Sequence, residues 1–119
     1  MRIESFAKIC FALTKSMKLI ADCFGQMVRL TDERLAHILE HPEMRDLTAE
    51  VERTLRQPQL VRRSRSDADV RLFYEFYAQT IVGGKWLCVV VKYGENDAFV
   101  VTAYLTDKPK PGEDLWPTK

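Results

Sequence analysis

Two histidines carry the first suggestion of chemistry in this sequence. His37 and His41 stand four residues apart, and Glu33 stands four before His37. A Glu-x-x-x-His-x-x-x-His ladder places all three side chains on one side of a helix. Metal ligation takes three or four ligands, usually drawn from more than one element. There is no third histidine, and Cys10, Cys23 and Cys88 lack ligand spacing, so no metal and no cofactor is expected. The other chemistry is acid–base work, because imidazole exchanges a proton near neutral pH. The apolar side of the same helix is Leu35, Ile38 and Leu39. At about 100° per residue, His37 points about 150° from its centre and His41 about 110°. Both are therefore solvated, or they line a cleft.

A second set of candidates is basic and aromatic. Between Arg53 and Arg71 lie six arginines (53, 56, 62, 63, 65 and 71) against Asp67 and Asp69, a local excess of four positive charges. Such a run either meets phosphate or forms a solvated face; Arg63 and Arg71 are its candidate substrate contacts. The formal net charge is only +1, which excludes a molecule that binds nucleic acid by overall charge.

These residues need elements to position them. Trp86–Lys92 and Ala98–Thr106 are rich in Val, Phe, Tyr and Thr and flank Tyr93-Gly94-Glu95-Asn96-Asp97, which predicts a β-hairpin. Val70–Tyr77 reads as a strand and Leu60–Arg63 as a shorter one. Thr31 is a fitting N-cap, with Asp32 and Glu33 in the first turn, for a helix that runs to His41 and stops before Pro42. Leu47, Val51 and Leu55 predict a second helix over about Glu43–Gln57. Residues 1 to about 24 carry Ile3, Phe6, Ile9, Leu13, Met17, Ile20 and Phe24 near helical spacing and read as an amphipathic helix. The tail from Asp107, with Pro109, Pro111, Gly112 and Pro117, is expected to be irregular. The order predicts an α+β fold, N-terminal helices packed on a four-stranded antiparallel sheet.

Alternation along the strands then sorts the side chains. The more apolar sets, among them Val70, Leu72, Tyr74 and Phe76, are expected to meet the helices. The opposite face would offer Arg71, Glu75, Tyr77, Trp86, Lys92, Thr102 and Tyr104. Cations that meet phosphate and rings that stack on bases suit RNA. Phe73, Cys88, Val90 and Val100 fall on that face too. It is either half covered, by the tail or the first helix, or an ordinary amphipathic sheet.

The chain has 119 residues, 46% of them hydrophobic, enough for one domain with one core. Three cysteines without C-x-x-C spacing suit a reduced cytoplasm. No apolar run reaches about 18 residues, so no membrane span is expected. Lysines at 8, 15 and 18 interrupt the N-terminal apolar stretch, and a secretory signal is not expected.

The ordered segments Thr31-Asp-Glu-Arg-Leu-Ala-His37-Ile-Leu-Glu-His41-Pro-Glu43, Thr54-Leu-Arg-Gln-Pro58-Gln-Leu-Val61, Trp86-Leu-Cys-Val-Val-Val-Lys92, Phe99-Val-Val-Thr102-Ala-Tyr104 and Leu115-Trp116 resemble small phage-associated nuclease-like domains of the barnase–EndoU–colicin–RelE superfamily. The resemblance covers about Val28 to Trp116. It implies a nuclease domain over residues 26–119; residues 1–25 fall outside the resemblance and are, on their spacing alone, a helical extension. It implies a metal-independent endoribonuclease of toxin or phage-conflict type, in which the ribose 2′-OH attacks the adjacent phosphate. RNA is the implied substrate, and an antitoxin or immunity protein a possible partner. Carried onto this chain, His37 matches the helix histidine, as base or acid, and His41 is the second such candidate. Lys92 would stabilise phosphorane charge, Arg71 bind phosphate, Thr102 orient it, and Tyr104 stack or donate a hydrogen bond. Trp86 joins them as a stacking surface. The alternative is a non-catalytic protein- or RNA-binding module of the same fold.

Overall fold

The computed structural model describes residues 17–118. The fold is α+β, but the sheet has seven strands rather than four, and two α-helices stand within it in sequence rather than ahead of it. The strands are β1 (Met17–Ala21), β2 (Met27–Thr31), β3 (Leu60–Arg63), β4 (Val70–Tyr77), β5 (Lys85–Tyr93), β6 (Ala98–Thr106) and β7 (Glu113–Trp116), and the helices are α1 (Asp32–Leu39) and α2 (Thr48–Arg56). The sheet order is β1-β2-β6-β5-β4-β3-β7. The β2–β6 pair is parallel and every other pair antiparallel.

Met17–Phe24, expected as the end of an amphipathic helix, is strand and turn; the part of that expectation over residues 1–16 lies outside the described residues. The turn explains the difference. Asp22 Oδ1 accepts the backbone N–H groups of Phe24 and Gln26 at 2.9 and 2.8 Å, and Gly25 sits at φ +85°, a conformation open to glycine at little cost. Asx-type bonding plus a left-handed glycine makes a reversal, and the apolar residues on either side pair as a hairpin.

The tail is likewise not wholly irregular. Gly112 and Pro117 bracket β7 rather than interrupt it. As an edge strand beside β3, it tolerates prolines at its margins.

The N-cap of α1 is as expected: Thr31 Oγ1 accepts the Arg34 N–H at 3.0 Å. The helix ends at Leu39, two residues short of His41. His41 is extended, φ −78° and ψ 122°, ahead of a 3₁₀ turn over Pro42–Met44. The proline that follows disfavours helical backbone at His41, so the three-residue ladder of Glu33, His37 and His41 does not form on one helix.

Both helices cover one side of the sheet. α1 lies against β2 and β6, and α2 against β1, β4 and β5. Ile38, Val51, Leu55, Phe73, Val89 and Val91 are fully buried between them. Here the expected faces are partly reversed. In β5 the helix-facing set is Leu87, Val89 and Val91, as alternation predicts. In β4 it is Phe73 and Tyr77, while Leu72 and Tyr74 face the other way. In β6, Val90 is opposite Thr102 but Val91 is opposite Val100. Val101 is therefore an extra residue, a β-bulge that switches the remainder of the strand to the other face.

Candidate functional site

The open side of the sheet, away from the helices, is a grid of side chains fixed by register. One row runs Arg62, Leu72, Val90, Thr102; the next runs Leu60, Tyr74, Cys88, Tyr104; the third holds Phe76, Trp86 and Thr106. Phe76 and Tyr74 both pack edge-to-face on Trp86, with centroids 5.6 and 6.4 Å away. Phe76 is 43% exposed.

Neither α1 nor α2 covers this grid, but part of the tail crosses it. From Asp107 to Gly112 the chain passes as a strap from the end of β6 to the far edge of the sheet. Lys110 anchors it. Its N–H donates to Tyr74 Oη at 3.0 Å, and its carbonyl accepts Arg62 Nη1 at 2.8 Å. Arg62 also pairs with Asp114, at 2.7 Å. The strap then presses close to β3: a Cβ on Gly112 would stand 2.5 Å from the Arg63 carbonyl oxygen, so a side chain there is excluded without rearrangement. Beneath the strap, Leu72, Tyr74 and Cys88 form a second, smaller buried cluster.

Beside the strap is a cleft of about 500 Å³. Its floor is Val70, Leu72 and Val90, with Thr102 and Tyr104 at one side. The loop after β3, Ser64 to Asp67, forms one wall, and Lys110 with Pro111 another. The Ser64 and Ser66 hydroxyls lie 3.1 Å apart. Lys92 Nζ donates to Asp67 Oδ2 at 2.8 Å. That bond holds the Asp67 carboxyl below the usual range and raises Lys92. Burial drives the phenols of Tyr74 and Tyr104 upward and the Cys88 thiol to about 11. Each of these shifts moves its group away from neutrality, so none of them supplies a proton exchanger near pH 7.

The sequence candidates divide between the two sides of the sheet. Thr102 and Tyr104 line the cleft, Lys92 is tied to its wall through Asp67, and Trp86 stands on the same open face. His37 and His41 are on the helix side and exposed. Among the described residues, the ion-pair partner within reach of His37 Nδ1 is Glu40 Oε1, at 3.7 Å. Arg71 is also on the helix side, with its guanidinium 4.8 Å from the Phe24 ring centroid and 4.2 Å from that of Tyr93. Arg63 pairs with Glu113 at 2.9 Å and donates to the Ala68 carbonyl. The sheet thus separates the histidines from Thr102, Tyr104 and Lys92.

Arg65, Ser64, Asp67, Lys110 and Tyr74 were not among the site candidates that the sequence offered, and Tyr74 was expected on the helix side. Alternation gave no means of placing loop residues, and a proline-bounded lysine had no partner visible in one dimension. The run Lys108-Pro109-Lys110-Pro111-Gly112 was the available signal: prolines stiffen a crossing segment, and glycine permits close approach. No protein-family model, curated protein or solved structure matches this chain. Among the described residues, no helix is long and apolar enough to cross a membrane.

Proposed function

We propose that this chain is a binding module for single-stranded RNA, which it engages on the open face of its sheet without histidine acid–base catalysis. The observation that carries this reading is the separation of His37 and His41, across the sheet, from the cleft lined by Thr102 and Tyr104. The open face supports the binding half of the reading. Trp86, Phe76 and Tyr104 offer aromatic surface, and Arg65 and Lys110 bring charge to the cleft. Rings on a sheet face with nearby cations suit unpaired bases and their phosphates.

A second reading is the metal-independent endoribonuclease that the superfamily resemblance implies. It is favoured by one observation, that Thr102 and Tyr104 do share a cleft and Lys92 is held beside it. Anisotropy of a labelled single-stranded RNA separates the two readings when the same mixture is followed for cleavage in EDTA. The wild type is compared with His37→Ala, His41→Ala and Thr102→Ala, each checked for folding. Binding without cleavage, unchanged by either histidine substitution, is expected. Cleavage that survives chelation and falls by about 100-fold in a histidine variant, the scale of positioned proton transfer, overturns the binding reading and restores the nuclease. Failure to bind any single-stranded RNA removes both.

A further inference from the structure

We propose that the cleft between the Ser64–Asp67 loop and the strap seats one nucleotide unit, with the base on the aliphatic floor and phosphate held by Arg65 and Lys110. The inference rests on the RNA-binding reading and adds to it the position of one unit and the number of phosphates met. The first argument is size and lining. About 500 Å³ lies within the range of about 300–1,000 Å³ found for small-ligand sites, which combine apolar walls with a few polar groups. Val70, Leu72 and Val90 give an aliphatic floor that can take the face of a base. Thr102 and the two serine hydroxyls give donors and acceptors at its edge.

The second argument concerns which charges are free. Five cations stand at or around the cleft. Arg62 is paired with Asp114, Arg63 with Glu113 and Lys92 with Asp67. Arg65 and Lys110 have no carboxylate partner among the described residues, and they are the two cations that line the cleft itself. They stand on different walls, one on the loop and one on the strap. A nucleotide within a strand has a phosphate on either side of its sugar, which two cations on separate walls can meet.

The third argument is preorganisation. Both backbone polar groups of Lys110 are bound to side chains of the sheet, Tyr74 and Arg62. The root of its side chain is therefore fixed, and its ammonium rests 5.8 Å from the Tyr104 ring centroid. A lysine held this way gives up less freedom on meeting an anion than one on a free loop.

The test uses the full chain with adenosine 5′-monophosphate and with a labelled single-stranded decanucleotide, over a salt series. For single strands the slope of log affinity against log salt is about −0.7 per phosphate neutralised, so two contacts in the cleft contribute about −1.4. Lys110→Gln and Arg65→Gln are each expected to make the slope shallower by about 0.7 without changing the melting temperature. Val90→Trp, which fills the floor, is expected to abolish mononucleotide binding. A third variant, Lys108→Gln, controls for a strap cation outside the cleft and leaves the slope unchanged. Decanucleotide binding with an unaltered slope in both cleft variants overturns the nucleotide seat while leaving the RNA-binding reading intact. No decanucleotide binding at all overturns the parent reading. Mononucleotide binding as tight as the decanucleotide, lost in Val90→Trp, supports the seat and assigns it to free nucleotides; tighter binding of the decanucleotide supports it and assigns it to RNA.

Discussion

Both faces of the sheet carry large apolar side chains and use them differently. On one face two helices bury Phe73, Val89 and Val91 completely. On the other a six-residue strap buries Leu72, Tyr74 and Cys88, leaves Phe76 exposed and Trp86 and Tyr104 half-buried, and keeps a cleft open. A helix brings a broad apolar stripe and seals what it covers. A strap of prolines and lysines brings backbone polar groups that must be satisfied by the sheet, and it covers only a line. The first arrangement yields a core, the second a site with fixed walls.

The comparison is tested most sharply by paired substitutions. Phe73→Ala, on the helix side, is expected to cost about 3–5 kcal/mol of stability by urea denaturation, the usual loss for a buried phenylalanine. Trp86→Ala, on the open side, is expected to spare most of that stability and instead weaken RNA binding by about 1–3 kcal/mol, the scale of one base–aromatic stack. If the two substitutions gave the same profile, the division of labour between faces would be lost.

Asp22→Ala comes next. Asp22 accepts two backbone N–H groups at its turn and the Tyr93 hydroxyl at 2.6 Å. Removing it leaves part-buried donors without partners, at a cost of about 1–3 kcal/mol; a thermal melt reads it. Tyr74→Phe is smaller, about 1 kcal/mol. Because it frees the Lys110 N–H, it is also expected to speed hydrogen exchange in the strap but not in α2.

The smallest effect is with pH. Asp67, Asp97 and Asp107 are each held below the usual carboxylate range, in every case chiefly by a hydrogen bond from a cation: Lys92, Arg29 and Lys85 respectively. A carboxyl depressed in the folded state stabilises it above the unfolded pKa, about 4, and that contribution is lost as pH falls through the lower folded value. A modest drop in melting temperature below about pH 4 is expected, reduced in Lys92→Met. All three carboxylates lie at the surface, where solvent and salt weaken the pairing, so the same drop is expected to shrink in high salt.

Much of the fold was legible where local signals agreed. The β5–β6 hairpin had β-rich runs and a Gly-Asn-Asp connection, and α1 had its Thr31 cap. Pro42 signalled the end of α1, although the helix stops earlier than expected. The β1–β2 hairpin was missed because Met17, Ile20 and Phe24 satisfy a helical spacing, while the deciding feature was one aspartate bonding across its own turn. The faces of β4 were reversed because the set that meets the helices, Phe73 and Tyr77, alternates in phase with Arg71 and Glu75, so the more uniformly apolar set, Leu72 and Tyr74, read as the covered one. The strap explains how Leu72 and Tyr74 can be buried while facing away from the helices. The bulge at Val101 escaped because an inserted residue does not disturb a run of β-branched and aromatic side chains. Thr102, Tyr104 and Trp86 could be placed from strand alternation. Arg65 and Lys110 could not, since what makes them notable is the partners that Arg62, Arg63 and Lys92 already have.

Phe24 and Trp116 belong to opposite edges of the sheet, one in the turn between β1 and β2 and the other in β7. Their rings nevertheless meet edge-to-face at 5.7 Å, and Phe24 also touches Phe73 of β4, at 6.2 Å. A contact between groups so distant along the chain returns nothing until the intervening strands are in register, and its loop-closure entropy must be met first. The two margins are therefore expected to lock together late in folding. They should also open together: Trp116→Ala is expected to speed amide exchange in β1 as well as in β7, while the β5 amides stay protected.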